Sequence, residues 1–299
     1  FRAEAGHRYL AVSPEAVLSP RVFSPEPSAR LRSTQNQADY VLVAPRAFLD
    51  AAQPLLERRQ AHGLTTFAAS LEEIASSFGG GQVSARAIRD FLSFAYHQWR
   101  RPSPRYVLLL GDANHDPTRF NPASQPSPMP FLLQRTSYIW TASDPALAAT
   151  NGDDLLPDLA IGRLPATTLD QAQTMVTKIL DWEAQGQNLD GNAALVADNP
   201  DLAGDFEADA RDIESSFLAG RDTTQIFLGQ LPNRDVARAR ILDAFNQGLS
   251  LISYVGHGGG AVWAGENILN STDPASLLAQ PRQPFMLTMN CLNGYFIAP

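Results

Sequence analysis

Cysteine is almost absent. The 299 residues contain one, Cys291, so no disulfide can form within the chain, and the fold must be held by its core rather than by cross-links. Basic residues are outnumbered: 23 Lys and Arg stand against 31 Asp and Glu, a formal net charge of −8. Binding to nucleic acid wants a basic stripe, and this balance argues against it. It leaves peptide substrates open and suits a cationic one. Long apolar runs are missing as well. No stretch of eighteen or more apolar residues occurs, so no membrane-spanning helix is expected. No Cys/His cluster has zinc spacing, and no Gly-x-x-x-x-Gly-Lys-Ser/Thr loop is there to cradle a phosphate. No signal peptide is visible. The first residue is Phe1 rather than Met, and Pro299 follows an apolar run, so the sequence reads as a piece of a longer polypeptide and that absence carries no meaning.

What is present is a globular composition, 44% hydrophobic, sufficient for a sizeable core. Residues 1–35 stand apart: a short strand is expected over 7–12, followed by Pro14, Pro20, Pro25 and Pro27, which suit an extended connector or the tail of a preceding domain. From residue 36 apolar strand-like runs alternate with helical segments. Strands are expected over 40–43, 64–69, 106–110 and 158–163. Helices are expected over 48–62, after the Ser70-x-x-Glu73 capping box, after Ser84, and after Thr168. A polar stretch over 185–192 marks a boundary. The alternation then restarts, with strands over 193–197, 224–228, 249–255 and 285–289 and helices over 206–218 and 234–245. The expected class is α/β, with two successive subdomains at 36–190 and 191–299, each a mostly parallel sheet flanked by helices.

Two strand ends carry chemistry. The run Leu249-Ser250-Leu251-Ile252-Ser253-Tyr254-Val255 ends in Gly256-His257-Gly258-Gly259-Gly260, and glycines on both sides of the histidine allow a close backbone approach. The run Phe285-Met286-Leu287-Thr288-Met289 ends at Asn290-Cys291. If these strands are parallel neighbours, both side chains emerge on one sheet edge, as a Cys–His dyad requires. The alternative is that Cys291 is a small buried hydrophobe and His257 an ordinary loop residue. The segment Gly111-Asp112-Ala113-Asn114-His115-Asp116 also follows a parallel strand. Its oxygens, like those of Asp153, Asp154 and Asp158, are of the kind Ca²⁺ prefers, although a capped turn or acidic loop is the first reading and a metal site the second. His62 and His97 fall on expected helices as surface or half-buried residues.

The stretch 241–251, followed by Tyr254-Val255-Gly256-His257-Gly258, resembles the catalytic-histidine segment of the gingipain family of cysteine peptidases. Trp263 falls where that family also has a tryptophan. Pro284-Phe285 and Cys291-Leu292-Asn293-Gly294-Tyr295-Phe296 are similar to its nucleophile segment, and 106–112 and Ile161-Gly162-Arg163 are also like it. The resemblance spans about residues 36–299. It implies a caspase-like α/β fold, Cys291 as nucleophile, His257 as general acid/base, and an oxyanion hole from the backbone N–H groups of Gly258 and Cys291. It further implies an acidic residue near the histidine, matched best by Asp198. For arginine-specific members it implies a pocket aspartate, matched best by Asp205 with Asp209 as fallback. Val255 and Met289, the last residues of the two strands, are assigned with Asp205 to substrate binding. Structural Ca²⁺ is a further possibility from the family, while the chemistry itself needs no cofactor. The implied protein is an extracellular or cell-surface endopeptidase acting on protein or peptide substrates, with further domains in its parent chain and a catalytic domain that continues past the nucleophile. A sorting peptidase or transpeptidase acting on exported proteins, and a non-catalytic surface binding module, are the rival readings.

Overall fold

Runs of β-branched and aliphatic residues without alternation make strands that are buried on both faces, and here they assemble into two parallel sheets. The computed structural model describes residues 29–298 apart from 117–119, 123, 125–128, 153, 155, 187–190 and 279–281, together with residues 6, 12 and 13. The strand expected over 7–12 lies, but for its last residue, outside the described residues. So do the four prolines that follow it, Asp153, and part of the polar stretch at 185–192. In chain order the strands are β1 (Tyr40–Ala44), β2 (Thr66–Ser70), β3 (Tyr106–Leu110), β4 (Leu133–Arg135), β5 (Trp140–Ala142), β6 (Ala160–Leu164), β7 (Ala193–Ala197), β8 (Thr223–Phe227), β9 (Leu251–Val255), β10 (Val262–Trp263), β11 (Leu269–Asn270) and β12 (Phe285–Met289). The helices are α1 (Ala29–Arg32), α2 (Leu49–Ala61), α3 (Leu71–Phe78), α4 (Ala85–Gln98), α5 (Pro145–Ala148), α6 (Leu169–Ala184), α7 (Phe206–Phe217) and α8 (Arg234–Asn246).

The first sheet has the order β2-β1-β3-β6 and the second β8-β7-β9-β12, with every neighbouring pair parallel. The second sheet thus repeats the strand order of the first. In each, the direction of winding reverses beside the first strand of the unit, and open α/β sheets place their ligands in the crevice beyond the strand ends at that point. In the second sheet this point lies between β7 and β9.

Local chemistry sets the helix starts. Ser70 accepts the Glu73 N–H at 3.1 Å while the Glu73 carboxylate accepts the Ser70 N–H at 3.1 Å, closing the capping box at α3. Thr168 and Gln171 do the same at α6, and Ser84 caps α4. Helices cover both faces of each sheet. Val41, Val43, Val107 and Leu109 pack against α3 and α4, and Leu42, Ala44 and Leu110 against α2 and α6. In the second sheet Ala194, Val196, Ile252 and Tyr254 pack against α8, while Ala193, Leu195, Ala197 and Leu251 pack against α7. Strands β7 and β9 are buried throughout. The edge strand β12 is open on both faces, with Phe285, Met286, Leu287 and Met289 all more than 40% exposed.

Candidate active site

Register builds the site. Ala197 is opposite Val255, and Val255 is opposite Met289, so the last residues of β7, β9 and β12 lie in one row. The ladder continues one step, through the Asp198 N–H donating to the Val255 carbonyl (3.0 Å) and the Gly256 N–H to the Met289 carbonyl (3.3 Å). Asp198, Gly256 and Asn290 are therefore level, and Asn199, His257 and Cys291 stand one residue beyond. The parallel pairing of β9 with β12 meets the condition set by the sequence: His257 and Cys291 leave adjacent strands at the same edge. Cys291 is exposed and is a free thiol.

The His257 ring is held by an aspartate the sequence reading did not single out. Its Nε2 lies 2.8 Å from Asp201 Oδ2, and the two side chains are 46% and 42% exposed. A tight turn presents Asp201: its N–H and carbonyl exchange hydrogen bonds with Gly204, and its Oδ1 accepts the Ala203 N–H at 2.7 Å. That N–H, and next the His257 ring, hold the Asp201 carboxyl below the usual carboxylate range. An ionised carboxylate only accepts, so Nε2–H is the donor in this contact. The edge of Phe206, the first residue of α7, meets the imidazole at a centroid distance of 5.1 Å.

Asp198 is beside the histidine but holds its backbone. Oδ2 accepts the His257 N–H at 3.1 Å and Oδ1 accepts the Asn199 N–H at 2.9 Å. The residue is 2% exposed, and burial raises its carboxyl above the usual range. From the same layer the buried Tyr254 hydroxyl donates to the His257 carbonyl at 2.6 Å, and burial, followed by the Asp198 charge, pushes that phenol upward. Tyr254 stacks on Trp263 at 4.4 Å and 3°. Trp263 Nε1–H donates to Asn293 Oδ1, and Asn293 Nδ2 donates to Thr288 Oγ1, each at 3.1 Å. The histidine turn and the cysteine loop are thereby tied together. Gly258 reaches the cysteine loop directly: a Cβ there would be 2.6 Å from the Cys291 carbonyl oxygen and 2.2 Å from Asn290 Nδ2. The approach requires glycine.

The remaining sequence candidates fall as follows. Asp205 is the N-cap of α7, accepting the Ala208 N–H at 3.0 Å, and Asp209 is exposed in the first turn of that helix. Val255 is buried in β9, and Met289 is exposed in the next strand. Asp116 turns its carboxylate to the N–H groups of Phe120 and Asn121 and to the Ser124 hydroxyl, and Asn114 Oδ1 accepts the Asp116 N–H. Asp158 accepts the N–H groups of Thr150 and Asn151. Asp154 accepts the Leu156 N–H. These oxygens close loops, and among the described residues no group of three or more His, Cys, Asp and Glu is arranged to hold a metal ion. Asp112 is half-buried, and burial raises its carboxyl. His97 Nε2 lies 3.1 Å from the Thr150 carbonyl, and His62 closes the end of α2. His115 reaches the carbonyl of Ile297 with both its N–H (3.0 Å) and ring Nδ1 (2.8 Å). Missed by sequence reasoning were Asp201, Tyr254 and Asn293. Asp201 left a signal as an aspartate opening the turn Asp201-Leu202-Ala203-Gly204, and Tyr254 and Asn293 lie within the segments that carry the family resemblance.

Gingipain R2 of Porphyromonas gingivalis is 25% identical over 264 residues, 86% of this chain and 32% of that protein. Gingipain R1 of the same species is 25% identical over 282 residues, 92% of this chain and 26% of that protein. The chain thus spans about a third or less of these relatives' length. The crystal structure of the Arg-specific cysteine proteinase gingipain R superposes with a TM-score of 0.65 at 23% identity, covering 88% of this chain and 56% of that one, which speaks for a shared fold. Among the described residues no helix is long and apolar enough to cross a membrane. The profile of peptidase family C25 matches residues 33–299, and the chain belongs to that family, the gingipain family of cysteine peptidases.

Proposed function

We propose that this chain is the catalytic part of a cysteine endopeptidase, extracellular or at the cell surface, that cleaves peptide bonds after basic residues. The observation that supports the reading is the in-register parallel pairing of β9 with β12, after whose last residues His257 and Cys291 follow at one sheet edge. Asp201 on the ring adds to it. The Cys291 thiol gives its proton to His257. The thiolate sulfur bonds to the scissile carbonyl carbon, and the C=O π pair moves onto oxygen, where the N–H groups of Gly258 and Cys291 receive the charge. The oxyanion collapses, the C–N bond breaks, and His257 hands its proton to the leaving amine. Water, deprotonated by His257, then hydrolyses the acyl thioester and restores the thiol.

The preference for a basic residue rests on charge. Asp201, Asp205 and Asp209 lie on the turn and helix start beside His257, and a cationic side chain is favoured there. A relative described as Arg-specific points the same way. Replacing Cys291→Ala in the full-length protein is expected to abolish cleavage of an arginyl peptide with an unchanged melting temperature. Turnover retained in that variant would sink the assignment, and equal rates on arginyl and leucyl peptides would remove the charge preference.

A further inference from the structure

The residue before the nucleophile carries a polar group that the proposed chemistry does not use. Both Nδ2 and Oδ1 of Asn290 are buried, and neither has a hydrogen-bond partner among the described residues. The carboxamide is wedged against the histidine turn, so close that a Cβ on Gly258 would come within 2.2 Å of Nδ2 and 2.7 Å of Cγ. Burying an amide with nothing to bond is unfavourable, and a leucine of nearly the same shape would remove that cost. Its neighbours show the contrast. Asp198, level with Asn290 on the other side of Gly256, bonds with both oxygens, and Asn293, three residues on, uses both ends of its carboxamide. Buried polar groups left unpaired are few in folded proteins, and local rules are broken mainly at functional positions.

We propose that Asn290 is a positioning residue for the oxyanion site. Its carboxamide sets the spacing of Gly258 from Cys291, and it bonds to the Gly258 turn when that turn closes on the charged intermediate. The inference rests on the peptidase reading above. An interaction made in the transition state and not in the free enzyme raises kcat and leaves KM nearly untouched. It also weakens the ground-state fold, so function and stability pull in opposite directions at this residue.

The test is Asn290→Leu in the full-length protein, with Asn290→Ala as a second variant that adds no bulk. Four quantities are read: melting temperature, kcat and KM on an arginyl peptide, affinity for a peptidyl aldehyde, and the pH profile of Cys291 alkylation by iodoacetamide. With the aldehyde, sulfur bonds to the carbonyl carbon and the π pair moves to oxygen, so the adduct draws on the oxyanion donors. Alkylation does not use them. For Asn290→Leu the melting temperature is expected to rise while kcat falls by roughly tenfold or more, KM stays within about twofold, aldehyde affinity falls in step with kcat, and the alkylation profile is unmoved. Asn290→Ala is expected to repeat the kinetic changes. Unchanged kcat and aldehyde affinity would overturn the role. So would a melting temperature that falls together with kcat, which assigns Asn290 to structure, or a shifted alkylation profile, which assigns it to the thiolate. An aldehyde that forms no adduct on the wild type would instead overturn the peptidase reading, and the role with it.

Discussion

Two aspartates three residues apart hold His257 by different atoms. Asp198 takes the backbone N–H from a buried position, and Asp201 takes the ring Nε2 at the surface. The division matters because the second holds the ring itself, where the proposed chemistry would place an imidazolium. Asp201→Asn keeps the side chain's shape and removes its charge, and kcat is expected to fall by about tenfold to a hundredfold, a share of what general acid–base catalysis supplies. Because the Asp201 carboxyl is held below the usual range when folded, the stability it contributes is present at neutral pH and is lost as pH falls through its folded value. Melting curves of wild type and Asp201→Asn should therefore differ at neutral pH and converge in acid; a gap that widens on acidification would contradict the assignment. Gly258 makes the sharper steric case. An alanine Cβ would overlap backbone at the Cys291 carbonyl, so the two loops must part. Gly258→Ala is expected to cost about 1–3 kcal/mol of stability and about a hundredfold in kcat, with kinetics and melting measured on the same sample; wild-type kcat would show that the loops have slack.

Elements were legible where their signal is local. Strands β1, β3 and β7 read from uninterrupted apolar runs, β12 from a run broken only by Thr288, and α3, α4 and α6 from Ser70, Ser84 and Thr168 at their starts. The strand expected over 64–69 forms as Thr66–Ser70, and that over 158–163 as Ala160–Leu164, because pairing with β1 and β3 decides which residues join the ladder. The hairpins β4–β5 and β10–β11 have strands of three and two residues, too short for any periodicity. The pairing of β9 with β12 was legible because both runs end in chemically distinctive residues, His257 and Cys291. The contact of Asp201 with the ring was not, since it depends on how one turn folds back over another strand's end.

At the scale of the whole molecule, the first sheet carries neither His257 nor Cys291, yet it anchors the loop that carries Cys291. Beyond Cys291 the chain crosses to the strand ends of the first sheet, where Ile297 is buried and its carbonyl receives both the N–H and the ring of His115. Phe296 lies against the Arg163 guanidinium at 4.4 Å. Arg163 is in turn fixed from beneath: it pairs in bidentate fashion with Asp144 at 2.8 and 2.6 Å and donates to the Gly111 carbonyl at 2.9 Å. The side chains of this pair are only 4% and 11% exposed, so removing one partner strands a buried charge, at a cost of about 3–5 kcal/mol. Asp144→Ala should therefore lower stability by that amount in chemical denaturation. Phe296→Ala leaves the pair intact and releases the loop, so it should cost less stability and more activity. The two variants separate a scaffold that merely keeps the molecule folded from one that aims the nucleophile. If Phe296→Ala has wild-type kcat, the first sheet is a passive neighbour of the site. If its kcat falls while denaturation is nearly unchanged, the cysteine is positioned across both sheets, and the repeated strand order has been divided into one half that carries the dyad and one that holds it in place.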